Sequence, residues 1–285
     1  MALGTTYLYN PTMRMMDVAE TAIPLYHANV ALARGWVTTA DLQALAELAN
    51  ARFATPFQFR HLCYPLDSDG QLARVRRIQE RLQKLQDFGL VNQIVWVVPG
   101  EPPRTHYAYC ITLNAAMMLR DWQGAPIDWK PGMGNRQLKP ILRLLAANEF
   151  RVQVVKESRN LITDWRMLRK PDGPVASFKL GGQPFLLDCP RDDEDAFVIR
   201  AERYTAFMNN ENPDNDPLLL LITPHERAAT ELFERLKETI PPDRILFSTD
   251  ARAFEGRLNV PGYLWIWDQN GKVEGLSLLD PAESA

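Results

Sequence analysis

Cysteine is scarce: Cys63, Cys110 and Cys189 are the only three in 285 residues, and no two of them share the spacing of a disulfide framework or a CxxC pair. A disulfide-stapled secreted scaffold and a zinc ribbon are therefore excluded, and the thiols are expected to stay reduced. The four histidines are scattered, and "HLC" at 61–63 lacks the partners and the HExxH spacing of a metal site. Long apolar runs are also missing. The longest, "PLLLLIT" at 217–223, suits a buried strand and falls far short of the ~20 residues that span a bilayer. No charged-then-apolar leader is evident, so the expected setting is the cytoplasm, with no membrane partner. There is no internal repeat, no P-loop, no GxGxxG after a strand and no GxSxG elbow.

An excess of one charge is lacking as well. The formal net charge is −3, so a nucleic-acid site has to be a local patch. Residues 1–135 hold 12 Lys/Arg against 11 Asp/Glu, whereas the remainder holds 20 against 24. The basic half contains "ARVRRIQERLQKLQDFGLV" at 73–91. There Val75, Ile78, Leu82 and Leu85 recur at helical spacing, and Arg74, Arg77, Arg81 and Lys84 repeat it one residue earlier, about 100° around the helix. One side is predicted to be core and the adjoining side cationic.

The chain is long enough for two domains, and 46% apolar residues supply a core for each. In the first, Thr38 and Asp41 form an acidic capping box ahead of a helix that turns Leu42, Leu45 and Leu48 inward. Thr55 and Pro56 open a short second helix with Phe59, Leu62 and Cys63 inward. After the turn "PLDSDG", a third helix is expected from about Gln71 to a left-handed cap at Gly89. The period then falls to two in "VNQIVWVV" and "RTHYAYCIT", separated by "PGEPP". Helix, helix, helix and hairpin over 37–122 is the order of a winged helix-turn-helix, with 1–36 as an N-terminal extension long enough for an additional helix and a homodimer contact. The third helix of such a domain lies in the major groove of duplex DNA. Arg74 and Arg77 are the expected base-proximal contacts and Arg76 a phosphate contact. Arg81 and Lys84 come next as phosphate contacts or solvated cations, and Arg104 and His106 are candidates in the wing. The alternatives are a plain solvated helix face and a winged helix that serves as a protein-interaction module.

"DWQGAPIDWKPGMGN" ends in a linker, taken as 123–135, and 136–285 alternates helices and strands: an α/β domain with a mixed sheet covered by helices. "RQLKPILRLLAANEF" is a helix interrupted near its start by Pro140. "LITDWRML", "VASFKL" and "PFLLDC" are strands, the last two a hairpin around Gly181 and Gly182. "DAFVIRAERYTAFM" and "PHERAATELFERLKETI" are helices, "PLLLLIT" and "RILFSTD" strands, and the end a hairpin turned at Asn270-Gly271. Asp172 and Asp188 lie near adjacent strands, where two carboxylates could hold Mg²⁺ against a phosphodiester, as in nucleases of the PD-(D/E)xK type. The lysine expected two residues after the second acid is replaced by Pro190, and Lys179 would have to reach in from the next strand. Glu157, Arg203 and Tyr204 are further candidates for that cleft. The plainer alternative is a turn residue and a strand end, needing no cofactor.

With both halves laid out, "HLCYP" with "RVRRIQERLQKLQDFGLV", "YAYCITLNAAMML", "LAANEF", "RKPDG", and "FLLD" before "ERYTAF" together resemble the replication-relaxation family of plasmids and integrative conjugative elements, over roughly residues 37–255. The resemblance implies a winged helix joined to a domain of restriction-endonuclease-like fold, acting in plasmid replication, DNA relaxation or control of transfer, with a relaxase or replication protein as a further partner. Members often carry an acid where Leu187 stands. This departure, like Pro190, points away from cleavage and toward an accessory or regulatory DNA-binding role; a metal-dependent nuclease and a winged-helix transcriptional repressor are the alternatives.

Overall fold

The computed structural model describes residues 13–19, 23–66, 70–100, 102–127, 137–157, 160–168, 173–191, 196–210, 217–267 and 273–278. Two compact units divide between Ile141 and Leu142. Asp172, the Asn270-Gly271 turn and most of the expected linker lie outside the described residues.

In the N-terminal unit, α2 (Thr39–Ala51) starts at the predicted capping box, with Thr38 and Asp41 each accepting from the other's backbone N–H. α3 (Pro56–Gln58) is capped by Thr55 and runs on as a π-helical turn, Phe59–Cys63. α4 (Val75–Asp87) begins four residues later than expected. No Ser, Thr, Asp or Asn is available among Gln71–Arg74 to cap an earlier start, and Arg60 Nε donates to the Ala73 carbonyl at 2.6 Å. Gly89 closes the helix at φ 71°, and an added Cβ there would meet Ile23 Cβ at 2.7 Å. The hairpin of β2 (Val91–Val98) and β3 (Arg104–Ile111) follows, paired from Val91↔Ile111 to Val98↔Arg104.

Residues 1–36 hold more than the expected helix. β1 (Arg14–Ala19) pairs antiparallel with β2, making a three-stranded sheet, before α1 (Leu25–Ala33). After the hairpin, α5 (Leu113–Gln123) is capped by Thr112, whose hydroxyl also donates to the Gly89 carbonyl at 2.7 Å. One core joins Leu42, Leu45 and Leu48 of α2, Ile78, Leu82 and Leu85 of α4, and Ala115 and Leu119 of α5. Val75 is a correction: it is 41% exposed, because the helix begins there and its side chain overhangs the first turn.

The C-terminal unit is a mixed α/β layer structure. α6 (Leu138–Glu157) tolerates Pro140 without interruption, since a first-turn N–H has no intrahelical acceptor to lose. β4 (Ile162–Met167), β5 (Ala176–Leu180) and β6 (Gln183–Asp188) form an antiparallel meander, with Gly181 and Gly182 at positive φ in the tight turn. α7 (Ala196–Asn210) leads to β7 (Leu218–Thr223), parallel to β6. α8 (Glu226–Leu236), with His225 rather than Pro224 at its start, leads to β8 (Ile245–Thr249), parallel to β7. α9 (Asp250–Glu255) and the antiparallel pair β9 (Leu264–Trp267) and β10 (Val273–Leu276) complete a seven-stranded sheet of order β10-β9-β8-β7-β6-β5-β4. Leu219, Leu221 and Phe247 pack with Tyr204, Leu232 and Phe233 from α7 and α8 on one face. No helix among the described residues is long and apolar enough to cross a membrane.

Candidate functional site

The side of α4 turned away from the core carries the first candidate site. Arg74, Arg77 and Lys84 are exposed, and among the described residues none has an ion-pair partner. The acids on the same helix are already engaged: Glu80 accepts from Arg76 Nε at 2.9 Å and Asp87 from Gln83 at 2.9 Å. Arg74, Arg77 and Lys84 therefore face solvent with no ion-pair partner among the described residues, although Asp87, held only by the neutral Gln83, keeps its charge three residues from Lys84, and Arg76 belongs to a surface pair.

Arg81 behaves differently. At 100° per residue it lies nearer the Ile78, Leu82 and Leu85 stripe than Arg77 or Lys84 does, so its guanidinium falls within reach of α2. Its Nε donates to Asp41 Oδ1 at 2.5 Å, and its Nη2 donates to Asp41 Oδ2 and, at 2.8 Å, to the Trp36 carbonyl. Burial pushes the Asp41 carboxyl up, but hydrogen bonds from Arg81 and Thr38 and the Arg81 charge outweigh it, leaving the group below the usual carboxylate range. Arg81 thus ties α4 to the start of α2. Sequence reasoning found Asp41 as a cap but missed it as an ion-pair partner, because a separation of forty residues leaves no local signal.

In the hairpin, Arg104 is exposed at the first position of β3. His106 pairs with Trp96 across the strands and stacks on its ring, centroids 5.5 Å apart. Burial, with the Arg104 charge beside it, lowers the imidazole below its ordinary value, so it is neutral at pH 7 and adds no charge to the hairpin.

The C-terminal unit gathers a second set of charges at the ends of its parallel strands. Asp188, last in β6 and fully buried, accepts from Arg143 Nε and Nη2, both at 2.6 Å, from Arg200 Nη1 at 3.3 Å, from the Tyr204 hydroxyl, and from the Cys189 backbone N–H at 2.7 Å. Burial raises this carboxyl, yet the Arg143 and Arg200 charges and the hydrogen bonds hold it below the usual range. The carboxylate joins α6, α7 and β6, with both oxygens taken by donors. Of the residues expected around it, Tyr204 is present, whereas Glu157 and Arg203 are exposed and Lys179 pairs with Asp164 at 3.0 Å. Lys179 sits opposite Pro184, four residues along β6 from Asp188, too far down the strand to join it. Arg143 escaped sequence reasoning, although one cation inside "ILRLL" on a buried helix was a signal for a buried partner.

Asp250 follows β8 and is also buried, but its only hydrogen-bond donor among the described residues is Arg191 Nη2, at 2.7 Å to Oδ1. With one partner instead of several, desolvation wins and its carboxyl is raised to about 6. Cys189 is fully buried and its thiol is pushed up by burial, so it is no nucleophile.

Comparison of the chain with protein-family models, with curated proteins and with solved structures gave no match.

Proposed function

We propose that this chain is a DNA-binding accessory or regulatory protein, in which α4 is the reading helix of a winged helix-turn-helix and the β2–β3 hairpin is its wing. The observation that carries the reading is the exposed row of Arg74, Arg77 and Lys84, without an ion-pair partner among the described residues, on a helix whose opposite side is docked on α2. Such a row offers mobile cations to phosphate oxygens and, near the helix start, to base edges. Arg81 drops out of the proposed interface because its guanidinium is already held by Asp41. Arg104 of the wing remains a backbone contact in this reading, and His106 becomes a neutral support stacked on Trp96.

The succession α6-β4-β5-β6-α7-β7, with β6 parallel to β7, supports a nuclease-like layout for the C-terminal unit. Its chemistry does not support cleavage. A carboxylate that accepts from two arginines, a tyrosine and a backbone N–H has no lone pair left for Mg²⁺, and Lys179 is directed elsewhere. The resemblance to the replication-relaxation family supports a role in replication, relaxation or transfer of a mobile element, with duplex DNA and a relaxase or replication protein as the proposed partners.

The test is binding of a random-sequence duplex by the full chain and by an R74A/R77A variant. The variant should bind at least tenfold more weakly at moderate salt. Equal affinity would reassign α4 to protein docking.

A further inference from the structure

Across β4, β5 and β6 the register puts Arg166, Ser177 and Leu186 in one row, and Lys179 beside Pro184 in the next on the same side. These residues line a cavity of about 390 Å³. That volume lies within the ~300–1,000 Å³ of small-molecule pockets. Leu168 and Pro217 extend its apolar wall, and Leu168 packs onto the core beneath α7 and α8.

The edge strand is bent at this point. Asp164 has φ 53°, a left-handed conformation rare outside glycine, and the pairing slips between Thr163 and Arg166. A bulge of this kind re-aims side chains, and its strain persists only where the surroundings enforce it. Here it brings Asp164 Oδ2 to 3.0 Å from Lys179 Nζ, neutralising the one acid among the described residues that line the cavity. Arg166 is exposed and has no ion-pair partner among the described residues, and the Ser177 hydroxyl beside it has no hydrogen bond there. Among the described residues, one guanidinium without an ion-pair partner and one hydroxyl without a hydrogen bond thus stand above a wall of leucine and proline.

We propose that this cavity binds a small organic anion with an apolar body, its carboxylate or phosphate head on Arg166 and Ser177 and its body against Leu168, Pro184 and Leu186. A bare inorganic ion would leave the wall unused, and a neutral apolar molecule would desolvate Arg166 without compensation. The site lies in the C-terminal unit and does not depend on the DNA-binding reading.

The probe is 8-anilinonaphthalene-1-sulfonate, which carries one anionic group on fused rings, titrated by fluorescence into the full chain. We expect saturable binding at one site per chain, weakened about tenfold or more in R166Q, as for loss of a charge-assisted hydrogen bond, and largely recovered in R166K. Both substitutions sit on an exposed edge strand and should leave the melting temperature unchanged. Octanoate and phenyl phosphate are then added as competitors; displacement by the first assigns a carboxylate head and by the second a phosphate ester. Equal affinity in R166Q, or failure of both competitors, would overturn the site.

Discussion

Replacing Arg81 with alanine removes the tie between α4 and α2 and tests whether that residue belongs to the fold or to the proposed DNA-binding surface. The Arg81 side chain is 18% exposed and the Asp41 side chain 1%. A buried pair broken on one side typically costs ~3–5 kcal/mol. Here Thr38 still donates to Asp41 through its N–H at 2.7 Å and its hydroxyl at 2.5 Å, so the orphaned carboxylate keeps part of its satisfaction. Two charge-assisted bonds lost from a partly solvated pair give an expected cost of about 2–3 kcal/mol. For a unit of this size that is a fall of roughly 6–12 °C in its melting temperature, read by calorimetry. The pH dependence has a defined sign. Asp41 is depressed in the folded chain, so the pair stabilises above the ordinary carboxylate pKa, and its contribution fades as pH falls below about 4 through the folded value. The difference between native and R81A chains should therefore narrow in acid. Arg76→Ala, which removes only an exposed pair with Glu80, should leave the melting temperature unchanged. A shift under about 1 kcal/mol for R81A, together with lost DNA affinity, would refute this assignment and return Arg81 to the proposed phosphate contacts.

Three further perturbations probe the rest of the framework. Gly89→Ala forces a Cβ onto a φ of 71° and to within 2.7 Å of Ile23 Cβ; urea unfolding should show a loss of about 2 kcal/mol or more, and a loss under about 0.5 would contradict the close approach. Asp188→Asn leaves Arg143 and Arg200 facing a neutral group and should cost about 3–5 kcal/mol, more than the roughly 1–3 expected when Tyr204→Phe removes one donor; the reverse order would show that the arginines are satisfied elsewhere. Asp250 titrates near 6 in the folded chain, above its unfolded value, so its contribution to stability is full below about pH 4 and is lost as pH rises through 6. Stability should rise between pH 7.5 and pH 5 in the native chain, and this component should be absent from D250N.

Much of this architecture is written locally in the chain, and the parts that are not have a common cause. The Thr38–Asp41 and Thr55–Pro56 starts, the Gly89 stop and the Gly181-Gly182 turn depend on neighbours a few residues away, and each stands where the pattern puts it. β1 was invisible because "RMMDVA" does not alternate; it is a strand only through its pairing with β2, some eighty residues on. The late start of α4 follows from Arg60 holding the Ala73 carbonyl, a contact across thirteen residues. The candidate sites divide in the same way. Helical spacing located the cationic side of α4, but it could not separate Arg81, bound to Asp41, from Arg77 and Lys84, which face solvent. Asp188 was found as a strand-end acid, while the partners that commit it, Arg143 and Arg200, come from helices on either side of it in the chain.

The most direct test of the central claim is fluorescence anisotropy of the full chain, native and R74A/R77A, against random duplex and against DNA flanking its own gene across a salt series. Each cation that neutralises a phosphate steepens the slope of log affinity against log salt by about 0.9. The DNA-binding account predicts salt-sensitive binding, tighter on the flanking DNA, with a slope shallower by about 1–2 in the double variant. Absence of binding at low salt, or identical slopes for the two chains, would contradict it.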